Sequence, residues 1–149
     1  MTLRPISEAL PHAGDMILLD RIERYDAESI VCLRTVAPGS PFVDANGNLP
    51  AWIGIELMAQ TIAAWSGAHA LDAGQPVRLG FLLGSRLYEA SADVFAAGSE
   101  LHIEAVRTFH DDDGMGVFAC RIDGGGVHAT ARLTVFSPTD PTALFASLA

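Results

Sequence analysis

The chain has 149 residues and a net charge of −9, with nine arginines and no lysine. This length predicts one domain spanning residues 1–149, and the acidic balance argues against nonspecific nucleic-acid binding, which needs a basic face. We expect no membrane span, because polar residues interrupt the longest apolar stretch, residues 49–71. Since no secretory signal is visible at the N-terminus, we expect a cytoplasmic protein.

The first elements expected along the chain are two strands, Ile17–Arg24 and Ser29–Val36, joined by a polar turn into a hairpin. A loop rich in Gly, Pro, Asn and Asp follows. It leads into a long helix for which Asn48 is the expected cap and Pro50 the expected first-turn residue. The helix is expected to end near Leu71, where a segment containing Gly and Pro breaks it.

After the helix the apolar pattern changes to a period of two, which is typical of strands. Turns rich in Asp and Gly at residues 111–114 and 123–126 indicate hairpins between consecutive antiparallel strands. The sequence therefore predicts an α+β fold with one long helix packed on an antiparallel sheet of about five to six strands. The four strands expected after the helix are Val77–Leu83, Ser99–Phe109, Met115–Asp123 and Val127–Phe136.

Cys32 and Cys120 lie far apart in strand-like segments, and we interpret both as reduced, buried, small hydrophobic residues. The chain contains no spaced His/Cys set and no glycine-rich phosphate loop after a strand. We therefore expect no metal, nucleotide or flavin cofactor.

The central helix carries a carboxylate and a carboxamide, Glu56 and Gln60, on one face of an otherwise apolar segment. A carboxylate buried in such surroundings is expected to be hydrogen-bonded, protonated or catalytic, because burial without partners costs several kcal/mol. The alternative is that Glu56, close to the helix start, reaches solvent. Gln60 either orients Glu56 or bridges a water, unless it is only a packed core amide.

Three motifs occur in order along the chain. They are the Leu-Pro-His of residues 10–12 with the apolar run ending in Asp-Arg at 16–22, the helix start at 49–60, and the turn and strand at 97–103. Together they resemble the hotdog-fold beta-hydroxyacyl-acyl carrier protein dehydratases of fatty-acid synthesis. The first two motifs are most similar to an atypical branch of that family, the aryl-polyene type.

The resemblance implies that Glu56 exchanges a proton with the substrate's beta-hydroxyl group as water leaves. It also implies that the backbone amide of Ala51, where the family usually has Gly, binds the thioester carbonyl. An unpaired amide at a helix start carries partial positive charge, which suits an oxyanion. Trp52 and Gln60 complete the expected substrate-binding residues.

The sequence departs from the family at the loop before the helix, where the usual catalytic His is absent from residues 41–48. Dehydration needs one group to take the alpha proton and another to protonate the hydroxyl. His12 is the candidate second catalytic residue, and the alternative is that it anchors the N-terminal loop. Asp44 is a weaker candidate, because its loop indicates a turn. The remaining histidines fit surface or structural roles better: His69, His102, His110 and His128.

The first functional hypothesis is a hydro-lyase that removes water from a 3-hydroxyacyl thioester to give a trans-2-enoyl thioester, in fatty-acid or polyene-type biosynthesis. The substrate is expected on an acyl carrier protein or on coenzyme A. The second is a hotdog acyl thioesterase, and the third is a catalytically incomplete subunit that partners a related dehydratase. In each case we expect a homodimer or a heterodimer, because pairing hides the edge strands of the sheet.

Overall fold

A computed structural model describes residues 4–12, 14–78 and 80–137 of the chain. One long helix, α2 (Gly54–Asp72), packs against a six-stranded antiparallel sheet. The six strands are β1 (Arg21–Tyr25), β2 (Ser29–Thr35), β4 (Phe81–Ala90), β6 (Glu100–His110), β7 (Met115–Gly124) and β8 (Val127–Phe136). Their order in the sheet is β1-β2-β6-β7-β8-β4. The fold class and the strand number expected from the sequence are therefore confirmed.

Short elements complete the fold at the N-terminus and at the start of the central helix. Helix α1 (Ile6–Ala9) and a 3-10 turn (Gly14–Met16) precede β1. A two-residue strand, β3 (Leu49–Pro50), pairs with β5 (Val94–Phe95), and a 3-10 turn (Ala51–Ile53) then leads into α2. The short β3–β5 pair fixes the position of the helix start at the end of the main sheet.

The core lies between α2 and the inner face of the sheet. Alternation along β6 and β8 places Leu101, Ile103 and Ala105, then Ala129, Ala131 and Leu133, on the buried side. From the helix, Leu57, Met58 and Ile62 pack into the same cluster, and all three are almost fully buried. Cys32 and Cys120 are free and buried there, as expected.

Strand β1 is shorter than the predicted Ile17–Arg24 and begins at Arg21. The physical reason is that both backbone polar groups of Leu18 are bound by side chains. Its N–H donates to Gln60 and its C=O accepts from the guanidinium of Arg34. A residue bound in this way cannot join a strand ladder.

The strand predicted at Val77–Leu83 is found at Phe81–Ala90 instead. This strand, β4, lies at an edge of the sheet and most of its side chains are exposed, so it lacks the alternating apolar pattern that marks a half-buried strand. Two irregularities in its register with β8 weaken the pattern further.

The helix ends within one residue of the predicted Leu71, but it does not begin with an Asn48 cap. The Asn48 side chain accepts a hydrogen bond from the Ala97 amide instead, and Pro50 lies in strand β3. None of the described helices is long and apolar enough to cross a membrane.

Candidate active site

Glu56 lies near the start of α2 and is half exposed in the single chain, with 46% of its side chain accessible. Of the two alternatives that the sequence leaves open for this carboxylate, burial and contact with solvent, the single chain therefore shows contact with solvent. Oε1 of Glu56 accepts a hydrogen bond from Gln60 Nε2 at 3.2 Å. Within the described residues, no partner is found for its other oxygen, Oε2.

His12 is brought close to Glu56 by the N-terminal segment. Its Nε2 lies 3.9 Å from Glu56 Oε1, which exceeds a hydrogen-bond distance but allows one to form after a small movement. The second ring nitrogen, Nδ1, is buried and has no hydrogen-bond partner among the described residues. The imidazole therefore presents one nitrogen to the Glu56 carboxylate, while no described group holds its other side.

Gln60 is almost completely buried and connects Glu56 to the N-terminal segment. Its Oε1 accepts from the Leu18 amide at 2.9 Å, and its Nε2 donates to the Met16 carbonyl at 2.7 Å as well as to Glu56. Both N–H groups of the carboxamide are occupied in this arrangement. The contacts give Gln60 an orienting position beside Glu56 and leave no donor for a substrate.

The structure corrects the role expected for the Ala51 amide. This N–H donates to the Asp93 carbonyl at 2.9 Å, continuing the β3–β5 pairing, so it is not available to a thioester carbonyl. The Ala51 carbonyl in turn accepts from the Tyr88 hydroxyl. A Cβ atom on Gly54, which follows this turn, would overlap the Tyr88 hydroxyl, so a larger residue there would displace the Tyr88 side chain.

Trp52 is largely exposed and lies beside a hollow of about 300 Å³ that reaches Glu56 and Gln60. Its ring makes an edge contact with Phe42, 6.4 Å between centroids. Phe42 has a φ of +67°, an uncommon conformation for a bulky residue, and it lies in the loop where the family's usual His is absent. Sequence reasoning overlooked Phe42, since no pattern marks a strained backbone outside glycine. The hollow is lined by Met16, Leu18, Phe42, Trp52, Ile53, Glu56 and Gln60.

A larger groove of about 610 Å³ runs along α2 from His12 and Glu56. Small helix residues form one wall, and side chains of β4, β7 and β8 form the other. At its far end the groove reaches three basic side chains, those of Arg78, Arg107 and His110. Glu56 and Gln60 line both the groove and the hollow, so the carboxylate lies where the two spaces meet. The small residues of this wall are Ala59, Ala63, Ser66 and Ala70 on the helix and Ala73 directly after it.

Trp65 also lines this groove and was not singled out from the sequence. Its indole contacts Phe118 at 5.6 Å between centroids, and the Arg107 guanidinium lies 4.9 Å above it. Arg107 also forms two hydrogen bonds with Glu28, at 3.2 and 3.3 Å, which hold the pKa of the Glu28 carboxyl below its usual value. The groove therefore has an aromatic and cationic wall.

The other candidates from the sequence do not approach Glu56. His69 lines the groove but is bound to the Asp26 carbonyl at 2.7 Å, and His110 lies at the far end. His102 and His128 pair with carboxylates: the first with Glu23 and Glu100, the second with Asp123. Asp44 accepts from the amides of Asn46 and Asn48, which is an ordinary turn. In the described ranges, no group of three His, Cys, Asp or Glu side chains is arranged to hold a metal ion.

Comparison with known proteins identifies the family. The sequence model described as ApeP-like, ApeP dehydratase, matches residues 4–146. The chain belongs to the ApeP-like dehydratase family. The dehydratase heterocomplex ApeI:P from Xenorhabdus doucetiae is 33% identical, with a TM-score of 0.90 and coverage of 99% of each chain. The resemblance to the aryl-polyene-type dehydratases is therefore confirmed.

More distant structures share the fold alone with this ApeP-like chain. A hypothetical thioesterase with coenzyme A from Streptococcus pneumoniae TIGR4 is 18% identical, with a TM-score of 0.60 and coverage of 78% of this chain and 86% of that one. The E. coli PaaI protein from the phenylacetic acid degradation operon is 15% identical, with a TM-score of 0.58 and coverage of 77% and 80%. No curated protein matches the chain.

Proposed function

We propose that this ApeP-like chain removes water from a 3-hydroxyacyl thioester to give a trans-2-enoyl thioester. The observation that carries the proposal is the approach of His12 Nε2 to Glu56 Oε1, 3.9 Å within one chain, at the mouth of a groove large enough for an acyl chain. His12 thereby takes the place of the catalytic His that is missing from the loop before the helix.

In the proposed reaction His12 removes the proton from the alpha carbon, and protonated Glu56 donates its proton to the beta-hydroxyl oxygen. The bond between the beta carbon and that oxygen breaks, water leaves, and the carbon–carbon double bond forms. The imidazolium then returns its proton to the Glu56 carboxylate. The 3.9 Å separation of His12 Nε2 and Glu56 Oε1 supports this last step, because the proton has only a short distance to cross.

Stabilisation of the thioester oxygen needs a donor other than the Ala51 amide, which is occupied. The Trp52 amide belongs to the first turn at the helix start, where N–H groups lack intrahelical acceptors. We assign this amide to the thioester carbonyl, and the Trp52 ring to the hollow beside it. The contact with the thioester carbonyl thereby stays at the helix start, but it moves by one residue, from the amide of Ala51 to the amide of Trp52.

The substrate is proposed to be carried by an acyl carrier protein or by coenzyme A, in fatty-acid or polyene-type biosynthesis. We further propose pairing with a second hotdog subunit, because the solved relative is a heterocomplex and strand β4 is an edge strand with exposed Leu82, Leu83 and Leu87. An edge with apolar side chains favours pairing with another chain. The partner is a second copy or a related dehydratase.

The decisive measurement is product formation from a 3-hydroxyacyl thioester by Glu56→Gln and His12→Ala variants. Each is expected to lower kcat by about 10²- to 10⁴-fold, the usual contribution of general acid–base catalysis, with little change in KM. Glu8→Gln and His128→Ala are matched controls, since both side chains are exposed and lie outside the groove. Undiminished dehydration by Glu56→Gln would contradict the proposal.

The same assay separates the alternatives. Release of free thiol from acyl thioesters, without an enoyl product, would identify a thioesterase that uses Glu56 to activate water. Activity only after mixing with the related dehydratase, and none in the purified chain, would identify an incomplete subunit. Full activity of the His12→Ala variant would show that His12 has a structural role, as an anchor of the N-terminal segment, and no catalytic one.

A further inference from the structure

The segment that carries His12 lies against the central helix and is fixed at both of its ends. We call residues 9–12 and 14–18 the N-terminal strap. At its downstream end the strap is bound by Gln60, through the Met16 carbonyl and the Leu18 amide. At its upstream end the backbone of Ala9 lies directly on Gly67. His12 lies between these two points.

Gly67 allows an approach that no other residue permits. A Cβ atom on Gly67 would overlap the carbonyl oxygen of Ala9 and lie 2.7 Å from its carbonyl carbon. The obstacle is backbone and not a flexible side chain, so the strap itself would have to move. Glycine inside a helix costs about 1 kcal/mol relative to alanine, and the close contact explains why the helix has it here.

Gly67 follows Glu56 by eleven residues, which is about three helical turns and places both on one face. The strap therefore crosses the same face of α2 that presents Glu56 and Gln60. Between Ala9 and His12 the strap contains only Leu10, which is buried, and Pro11, whose ring restricts φ. A displacement at Ala9 is transmitted to His12 because this linkage is short and stiff.

Among the described residues, none holds the ring of His12 by a hydrogen bond. Its Nδ1 is buried without a partner among the described residues, and its Nε2 lies 3.9 Å from Glu56. The location of the imidazole therefore depends on the backbone of the strap. In this respect His12 differs from Glu56, whose carboxylate is held by Gln60.

We propose that Gly67 is a positioning residue, which sets the distance between His12 and Glu56 by letting the Ala9 backbone rest on the helix. The inference rests on the proposed dehydration, in which these two side chains exchange the protons. Gly67 itself touches no substrate in this scheme and acts only through the strap.

The test is Gly67→Ala, measured alone and combined with His12→Ala. A misplacement of about 1 Å in a catalytic group can cost about 10²-fold, so we expect kcat to fall by about this factor while KM stays nearly constant. In the His12→Ala background the same substitution is expected to cause no further loss, because its effect passes through His12. Losses that multiply in the double variant, or an unchanged kcat in Gly67→Ala, would overturn the proposal.

Pro11→Gly provides a second variant, at an exposed residue, that leaves the Gly67 contact intact and loosens the linkage between Ala9 and His12. It is expected to lower kcat and to lose this effect in the His12→Ala background. A crystal structure of Gly67→Ala gives a readout without activity: the distance from His12 Nε2 to Glu56 Oε1 is expected to increase, and an unchanged distance refutes the positioning role. If the wild-type protein forms no enoyl product, the proposed function fails and this structure still decides the inference.

Discussion

Replacing Gln60 with alanine tests whether one buried carboxamide fastens the N-terminal segment to the central helix. Gln60 is 1% exposed and makes three hydrogen bonds: with the amide of Leu18, the carbonyl of Met16 and the carboxylate of Glu56. The substitution removes all three and leaves a space where the amide was. We expect a lower free energy of unfolding, and the three partners allow its size to be worked out.

Leu18 is buried, so its amide loses its acceptor without gaining water, which costs about 1–3 kcal/mol. Met16 and Glu56 are partly exposed, so water replaces the lost contact and adds little. The removed methylene contributes about 0.8 kcal/mol. The expected total is about 2–4 kcal/mol, a large part of the 5–15 kcal/mol typical of a domain.

The measurement is urea unfolding of the wild type and of Gln60→Ala, with Gln75→Ala as the matched control. Gln75 is exposed and accepts one hydrogen bond from the exposed Arg78, so its replacement is expected to change stability by less than about 0.5 kcal/mol. Gln60→Glu preserves the shape and the acceptor for Leu18 but puts a second carboxylate beside Glu56, and we expect it to be destabilising too. Equal stabilities of Gln60→Ala and Gln75→Ala would refute the reasoning.

Three further predictions concern other contacts. The Tyr25 hydroxyl donates to Asp72 and holds the pKa of that carboxyl below its usual 3.8; such a group stabilises the fold above its unfolded pKa and loses this effect as pH falls through the folded pKa. Tyr25→Phe should therefore lower the thermal midpoint more at pH 7 than in acid below the usual pKa of Asp72, and an equal loss at both would contradict this. Arg34→Lys should lower the free energy of unfolding in urea by about 1–2 kcal/mol, because the buried guanidinium of Arg34 donates to two carbonyls and the single ammonium group of lysine cannot reach both in the same way. A variant as stable as the wild type would show that these two hydrogen bonds are dispensable. Burial raises the pKa of the Cys32 and Cys120 thiols to about 12, so iodoacetamide at pH 8 should label both only in urea, and rapid labelling of the folded protein would exclude their burial.

The parts of the fold predicted well from the sequence are those whose side chains alternate between core and solvent. Strand β8 has this pattern over its first seven residues, and its predicted range, Val127–Phe136, is the observed one. Strand β4 lies at the edge with most side chains exposed, so neither face carries the apolar period that locates a strand. The apolar alternation reflects burial of one face of a strand, and it is absent where a strand lies exposed at the edge of the sheet.

Asn48 shows a different limit. Its type and its position before a long apolar helix are those of a cap, yet its side chain binds the amide of Ala97, which is distant in sequence. The helix start is instead shaped by the β3–β5 pairing and by Tyr88, whose hydroxyl donates to the Ala51 carbonyl and lies against Gly54. Local propensity is a weak guide where tertiary contacts satisfy the same backbone groups.

The same limit applies to the candidate site. Glu56 and Gln60 were recognised because a helix places residues four apart on one face, which is a local property. The approach of His12 depends on the strap, and the strap depends on Gly67 and Gln60, far along the chain. A sequence motif specifies residue types, whereas the distance between two side chains depends on the contacts that position their backbones. For this reason a substitution at Gly67, which has no side chain that could take part in the chemistry, tests the relative placement of His12 and Glu56 more directly than a substitution of either residue.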